Sequence, residues 1–139
     1  MKTETLDYFD HETQLEAFLA WDDLKPGKKP AVLVAHDWTG RREFAENKAK
    51  EMAKLGYVGF ALDMYGDGFI GSSNDENSSR MQPLLDDRKE LALRVSAAYE
   101  RVIKIPGVDH SKIAIIGYCL ANWHCNQPNE SGCREMKWC

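Results

Sequence analysis

Short apolar runs punctuate an otherwise polar chain, and their spacing predicts an alternation of strands and helices. Residues 4–21, ETLDYFDHETQLEAFLAW, hold extended stretches on either side of a polar DHETQ turn, the pattern of a β-hairpin. LKPGKKP then marks a loop with two prolines and a glycine. AVLVAH follows as a continuous β-branched run of the kind buried on both faces of a parallel sheet, predicting a first parallel strand over 31–36. From Arg41 to Leu55 the apolar residues Phe44, Ala45, Ala49, Met52, Ala53 and Leu55 recur at helical spacing, and Gly56 stands where a left-handed cap belongs.

YVGFALDMYGDG predicts a second buried strand ending at Asp63, followed by a glycine-rich turn. GSSNDENSSR is poor in apolar residues and rich in turn formers, so it reads as a surface loop. A long helix is expected between Leu84 and Lys104, with Leu84, Leu91, Val95, Ala98 and Val102 on one face and Asp86, Asp87, Arg88, Lys89 and Glu90 as a solvated turn. Pro106 and Gly107 stop it, and KIAIIGY gives a third buried strand. The order hairpin, strand, helix, strand, helix, strand implies an α/β fold, an N-terminal hairpin followed by a mostly parallel sheet with flanking helices and right-handed crossovers.

Composition narrows the class of protein. At 139 residues and 43% hydrophobic the chain suits one domain that buries a sizeable core. A net charge of -4 and a pI near 5.6 argue against nucleic acid or an anionic membrane as partner, since both need a basic face. The start MKTETLDYFDHETQ has no apolar signal region, and no run approaches the roughly 18 apolar residues of a membrane span, so a soluble cytoplasmic protein is expected. Three of the four cysteines, Cys125, Cys133 and Cys139, fall in the last 15 residues, and without a route to an oxidising compartment they read as reduced thiols. Cys119 alone lies in the well-patterned part.

Cys119 stands in the run Gly117, Tyr118, Cys119, Leu120, Ala121, a small-x-nucleophile-x-small pattern directly after a predicted strand. A nucleophile on a sharp strand-to-helix turn has a strained backbone, and its flanking residues must be small for the chains to pass. The following helix would present its positive end and favour the thiolate. A cysteine that merely packs at a strand end is the competing reading. His36, Asp37, Trp38, Thr39 and Gly40 sit at the carboxyl end of the first parallel strand, the edge where open α/β sheets build their sites. A loop there can offer the Trp38 N–H to pair with that of Leu120 in an oxyanion hole, or can simply connect strand to helix.

PAVLVAHDWTG, GYVGFALDMYGDG and KIAIIGYCLA, in this order and with these separations, resemble the dienelactone hydrolase family of α/β-hydrolases, whose nucleophile is a cysteine. The resemblance covers residues 1–121 and implies a truncated α/β-hydrolase fold, an activity on a lactone or carboxylic ester as small-molecule substrate, and no cofactor. By that resemblance Cys119 matches the nucleophile, Trp38 and Leu120 match the backbone oxyanion donors, and Asp37 matches an acidic position, usually glutamate, that contacts the resting thiol. Ala121 stands where the family usually has glycine. The particular ester is left open, because GDGFIGSS offers none of the basic side chains that hold a substrate carboxylate in the family.

The family's acid and histidine follow the nucleophile across roughly a hundred further residues, in the Ser…Asp…His order of the fold. Here 20 residues follow Cys119, so little activity is expected of this chain. His110 precedes the third strand, at the opposite end of the sheet and about 20 Å from the nucleophile. His11 belongs to the hairpin turn, His36 to the loop framework, and His124 lies more than a helical turn past Cys119. Residues 122–139 show no periodicity and read as an aberrant or disordered tail, as after a frameshift or premature join. The alternative is a non-catalytic thiol or zinc module built on His124, Cys125, Cys133 and Cys139, although their spacing fits no common zinc pattern. A plain α/β scaffold without chemistry is a third reading. Truncation after the third strand would leave an apolar edge that invites aggregation.

Overall fold

The structure, a computed structural model, describes residues 1–118. Strands β1 (Lys2–Asp10) and β2 (Thr13–Trp21) form the N-terminal hairpin; β3 (Lys29–Ala35), α1 (Glu43–Lys54), β4 (Val58–Leu62), α2 (Asn74–Asp86), α3 (Arg88–Val102) and β5 (Val108–Gly117) follow. The strands make one mixed sheet in the order β1-β2-β4-β3-β5. The hairpin joins it by antiparallel pairing of β2 with β4, while β4, β3 and β5 run parallel.

The side-chain period of a strand sorts residues onto two faces. Leu15, Ala17 and Leu19 of β2, Leu33 and Ala35 of β3, and Phe60 and Leu62 of β4 share a core with Leu91, Val95, Ala98 and Val102 of α3. Phe18, Ala20, Val34 and Ala61 face the other way, onto Ala45, Ala49 and Ala53 of α1. Small residues let that helix lie close: a Cβ on Gly59 would come within 2.1 Å of the Ala49 carbonyl oxygen. The central strands β2, β4 and β3 are therefore covered on both faces, as their apolar runs require. Gly56, at φ 96°, ends α1 as expected. Arg94 ties α3 to the hairpin through a buried ion pair with Asp10 at 3.1 Å.

The structure corrects two expectations. GSSNDENSSR is not a surface loop; from Asn74 it is the first half of α2. Ser73 caps that helix by accepting the Glu76 N–H at 3.2 Å, and Glu76 reaches back to the Ser72 N–H and hydroxyl, both at 2.8 Å, so reciprocal capping starts a helix that apolar periodicity does not announce. The long helix expected over 84–104 is broken at Asp87, whose extended backbone and capping bonds to the Lys89 and Glu90 N–H groups end α2 and begin α3. The face formed by Leu84, Leu91, Val95, Ala98 and Val102 is buried all the same. β5 begins earlier than predicted and, among the described residues, pairs with β3 alone, so only Val108 and Ile115 of it are buried. No described helix is long and apolar enough to cross a membrane.

Candidate functional site

Two strands deliver their carboxyl ends to one point. β3 and β5 pair in register as far as Ala35 and Gly117, and the Tyr118 N–H then donates to the Ala35 carbonyl at 3.3 Å. Phe44, in the first turn of α1, meets the Tyr118 ring edge-on at 5.0 Å. The residue before Cys119 is thus tied to the residue before His36. Cys119 and Leu120 themselves lie outside the described residues, whereas Asp37 and Trp38 lie within them, half-buried in the loop that leaves β3.

That loop is held from below. His36 is fully buried, and its Nε2 accepts the Met64 N–H at 3.0 Å while its Nδ1 lies 2.6 Å from the Asp37 carbonyl oxygen. The first bond requires a bare Nε2, so the proton sits on Nδ1 and is donated to Asp37. Burial is the largest influence on this imidazole and pushes it below the ordinary value of 6.5; the Asp37 carbonyl and the Asp63 and Asp37 carboxylates pull the other way. With both nitrogens engaged, His36 has no free lone pair to act as a base. His110 is exposed near the start of β5, and His11 sits in the hairpin turn beside Asp10 at 2.9 Å, beyond the opposite side of the sheet from β5.

Asp37 turns the chain. Its Oδ1 accepts the Thr39 N–H at 2.8 Å and the Thr39 hydroxyl at 2.5 Å, an Asx turn that leaves Oδ2 outside these bonds. The Trp38 carbonyl accepts the Tyr65 hydroxyl at 2.8 Å, and among the described residues the Trp38 N–H has no acceptor. Gly40 bridges to Ile70, and the Gly71 N–H donates to the Thr39 carbonyl at 3.0 Å, so the loop after β4 clamps the loop after β3.

Sequence reasoning missed the residue that shapes this second loop. Asp63 is fully buried and accepts four backbone N–H groups: Tyr65 and Gly66 at Oδ1, both 2.9 Å, and Gly68 and Glu16 at Oδ2, 2.8 and 3.1 Å. An aspartate at a strand end followed by a glycine-rich turn was the available signal. Arg41, also missed, is buried between Glu16, which it meets at carboxylate and carbonyl, and Glu46 at 2.7 Å. Both residues serve the scaffold, fixing the hairpin and the start of α1 against the two loops. No three metal-binding side chains cluster among the described residues, and His124, Cys125, Cys133 and Cys139 lie outside them.

Comparison with known proteins agrees with the three motifs. The profile of the dienelactone hydrolase family matches residues 15–126. The solved structure of m3DLH is 33% identical, with a TM-score of 0.82 over 85% of this chain and 49% of its own. A dienelactone hydrolase-like promiscuous phosphotriesterase from metagenomic libraries is 26% identical, with a TM-score of 0.85 over 99% of this chain and 65% of its own. A Yersinia pestis protein provisionally named a carboxymethylenebutenolidase is 28% identical over 109 residues, which are 76% of this chain and 40% of that protein. The chain therefore spans less than half the length of that curated relative.

Proposed function

The chain belongs to the dienelactone hydrolase family, and we propose that it bears the nucleophile of a lactone or carboxylic ester hydrolase, with Cys119 as that nucleophile and residues 1–121 as the hydrolase part. The Cys119 thiolate attacks the carbonyl carbon of a small-molecule ester, and the C=O electron pair moves onto oxygen. The Trp38 and Leu120 N–H groups receive that oxyanion. Collapse expels the alcohol oxygen and leaves a thioester, which water hydrolyses to return the acid and the free thiol. Asp37, through the carboxylate oxygen not used on Thr39, contacts the resting thiol. A cytoplasmic setting keeps the thiol reduced.

The observation that carries this reading is the junction of Ala35 with Tyr118 at 3.3 Å, which sets the residue preceding Cys119 beside the loop bearing Asp37 and Trp38. Among the described residues no histidine stands ready as base, for His36 is spent on Met64 and Asp37. We therefore expect this chain to form the thioester faster than it clears it, with little turnover, and residues 122–139 to add no chemistry.

The test uses the 139-residue chain with p-nitrophenyl acetate, quenched in time and mapped by peptide mass spectrometry. Acetylation of Cys119 ahead of Cys125, Cys133 and Cys139, abolished in Cys119→Ala, supports the reading. Tail cysteines acetylated as fast as Cys119 would sink it.

A further inference from the structure

We propose that His36 is a positioning residue for the oxyanion donor: clamped between Met64 and Asp37, it sets the orientation of the peptide unit that carries the Trp38 N–H. This deepens the reading above and rests on it.

The geometry is that of one planar group. The Asp37 carbonyl and the Trp38 N–H belong to the same peptide unit, which is planar and trans, so they point in opposite directions. The carbonyl accepts the His36 Nδ1–H at 2.6 Å and the Gly40 N–H at 3.3 Å. His36 is completely enclosed, so the carbonyl points inward at the ring and the N–H of the same unit points away from it. Rotating the unit would break both bonds and aim the Trp38 N–H at the Nδ1–H, donor against donor.

His36 can impose this orientation because it is itself immobile. Its Nε2 is held by the Met64 N–H at 3.0 Å, and the Tyr65 ring packs edge-on against it with centroids 4.9 Å apart. The Tyr65 hydroxyl meanwhile holds the Trp38 carbonyl at 2.8 Å, fixing the next peptide unit as well. Both peptide units flanking the Trp38 Cα are therefore anchored to the end of β4, and the N–H direction is set before any substrate arrives, which is what makes an oxyanion donor effective.

The role separates from simple packing by comparing two reactions at one thiol. Acetyl transfer from p-nitrophenyl acetate forms the S–C bond, places negative charge on the carbonyl oxygen, and then breaks the C–O bond to release p-nitrophenolate. Alkylation by iodoacetamide forms an S–C bond as C–I breaks and iodide leaves, with no oxyanion. The ratio of the two rates at Cys119, read by peptide mass spectrometry in the full chain, isolates the oxyanion contribution. His36→Asn keeps a donor near the Nδ1 position, whereas His36→Gln reaches toward Met64 but not back to Asp37. The expected result is a ratio about tenfold lower for Gln and nearly unchanged for Asn. Equal ratios in the two variants would overturn the proposal.

A measurement on the unaltered chain keeps the proposal exposed even where a variant does not fold. The Trp38 amide should exchange with solvent readily while the Gly40 amide is protected; a protected Trp38 amide overturns the assigned orientation. If Cys119 is not acetylated preferentially in the parent chain, the hydrolase reading itself has failed and this inference falls with it.

Discussion

The Tyr65 hydroxyl donates to the Trp38 carbonyl oxygen at 2.8 Å, so the turn after β4 holds the turn after β3 by a bond between residues 27 positions apart. Removing the hydroxyl leaves a half-buried carbonyl without this donor but creates almost no cavity. Tyr65→Phe should therefore lose about 1 kcal/mol in urea denaturation with an unchanged slope. A variant as stable as the parent would mean that water replaces the hydroxyl at no cost.

Asp63 stands to lose far more. Its carboxylate accepts four N–H groups inside the fold, and truncation orphans all of them together. Asp63→Ala should cost about 3 kcal/mol or more. Asp63→Asn keeps the shape but turns one acceptor into a donor facing N–H groups, so it should recover only part of the loss. Full recovery in Asn would show that the charge and second acceptor are dispensable.

How far the sequence discloses this arrangement depends on the range of the interactions. AVLVAH and YVGFAL announce β3 and β4 because burial on both faces leaves an unbroken apolar run, and Gly56 announces the end of α1 because its cause is local. The start of α2 escapes apolar periodicity because NDENSSR has almost no apolar side chain, although Ser73 and Glu76 carry the capping signal at their fixed spacing. Asp37 and Trp38 are legible as strand-end residues. The work of His36 and Asp63 is not, because their partners Met64 and Glu16 stand 28 and 47 residues away and are found only once β2, β3 and β4 lie side by side.

Gly40 gives a prediction in which backbone angle and space can be separated. At φ 98° it occupies the left-handed region, and a Cβ there would come within 2.2 Å of the Phe69 carbonyl oxygen. Gly27, at φ 90°, has nothing near its absent Cβ. Gly27→Ala should cost only the conformational penalty of about 1–2 kcal/mol, while Gly40→Ala should exceed it by about 1 kcal/mol or more because two backbone segments must separate. Equal losses by urea denaturation would show that the clamp between the two loops yields freely.

Stability should weaken toward alkaline pH through Tyr8. Burial raises its phenol well above the ordinary value of 10.0, while the Asp63 N–H bonds its oxygen at 3.1 Å. A group whose pKa is raised by folding contributes fully below its unfolded value, and the contribution is lost as pH climbs past about 10 toward the folded value. The urea midpoint should fall in that window, and Tyr8→Phe should show a shallower fall, whatever its stability at neutral pH. Parallel curves for the two proteins would remove Tyr8 from the account.

On the acid side His36 sets the slope, with the opposite sign of shift. Burial lowers its pKa below 6.5, so the unfolded chain takes up a proton before the folded one does. The stabilisation is whole above 6.5 and declines as pH falls from there to the folded value, by at most about 1.4 kcal/mol for each pH unit. Protonation also ends the acceptance of the Met64 N–H, because Nε2 then becomes a donor. Asp63, Asp37 and Arg41 face the ring, and the enclosure of the imidazole outweighs the pull of the two carboxylates. Urea midpoints taken between pH 7.5 and 5 in the parent and in His36→Gln measure it: the parent should lose stability more steeply than the variant. Equal slopes would mean that folding leaves the His36 imidazole with the proton affinity it has in the unfolded chain, and the account would fall.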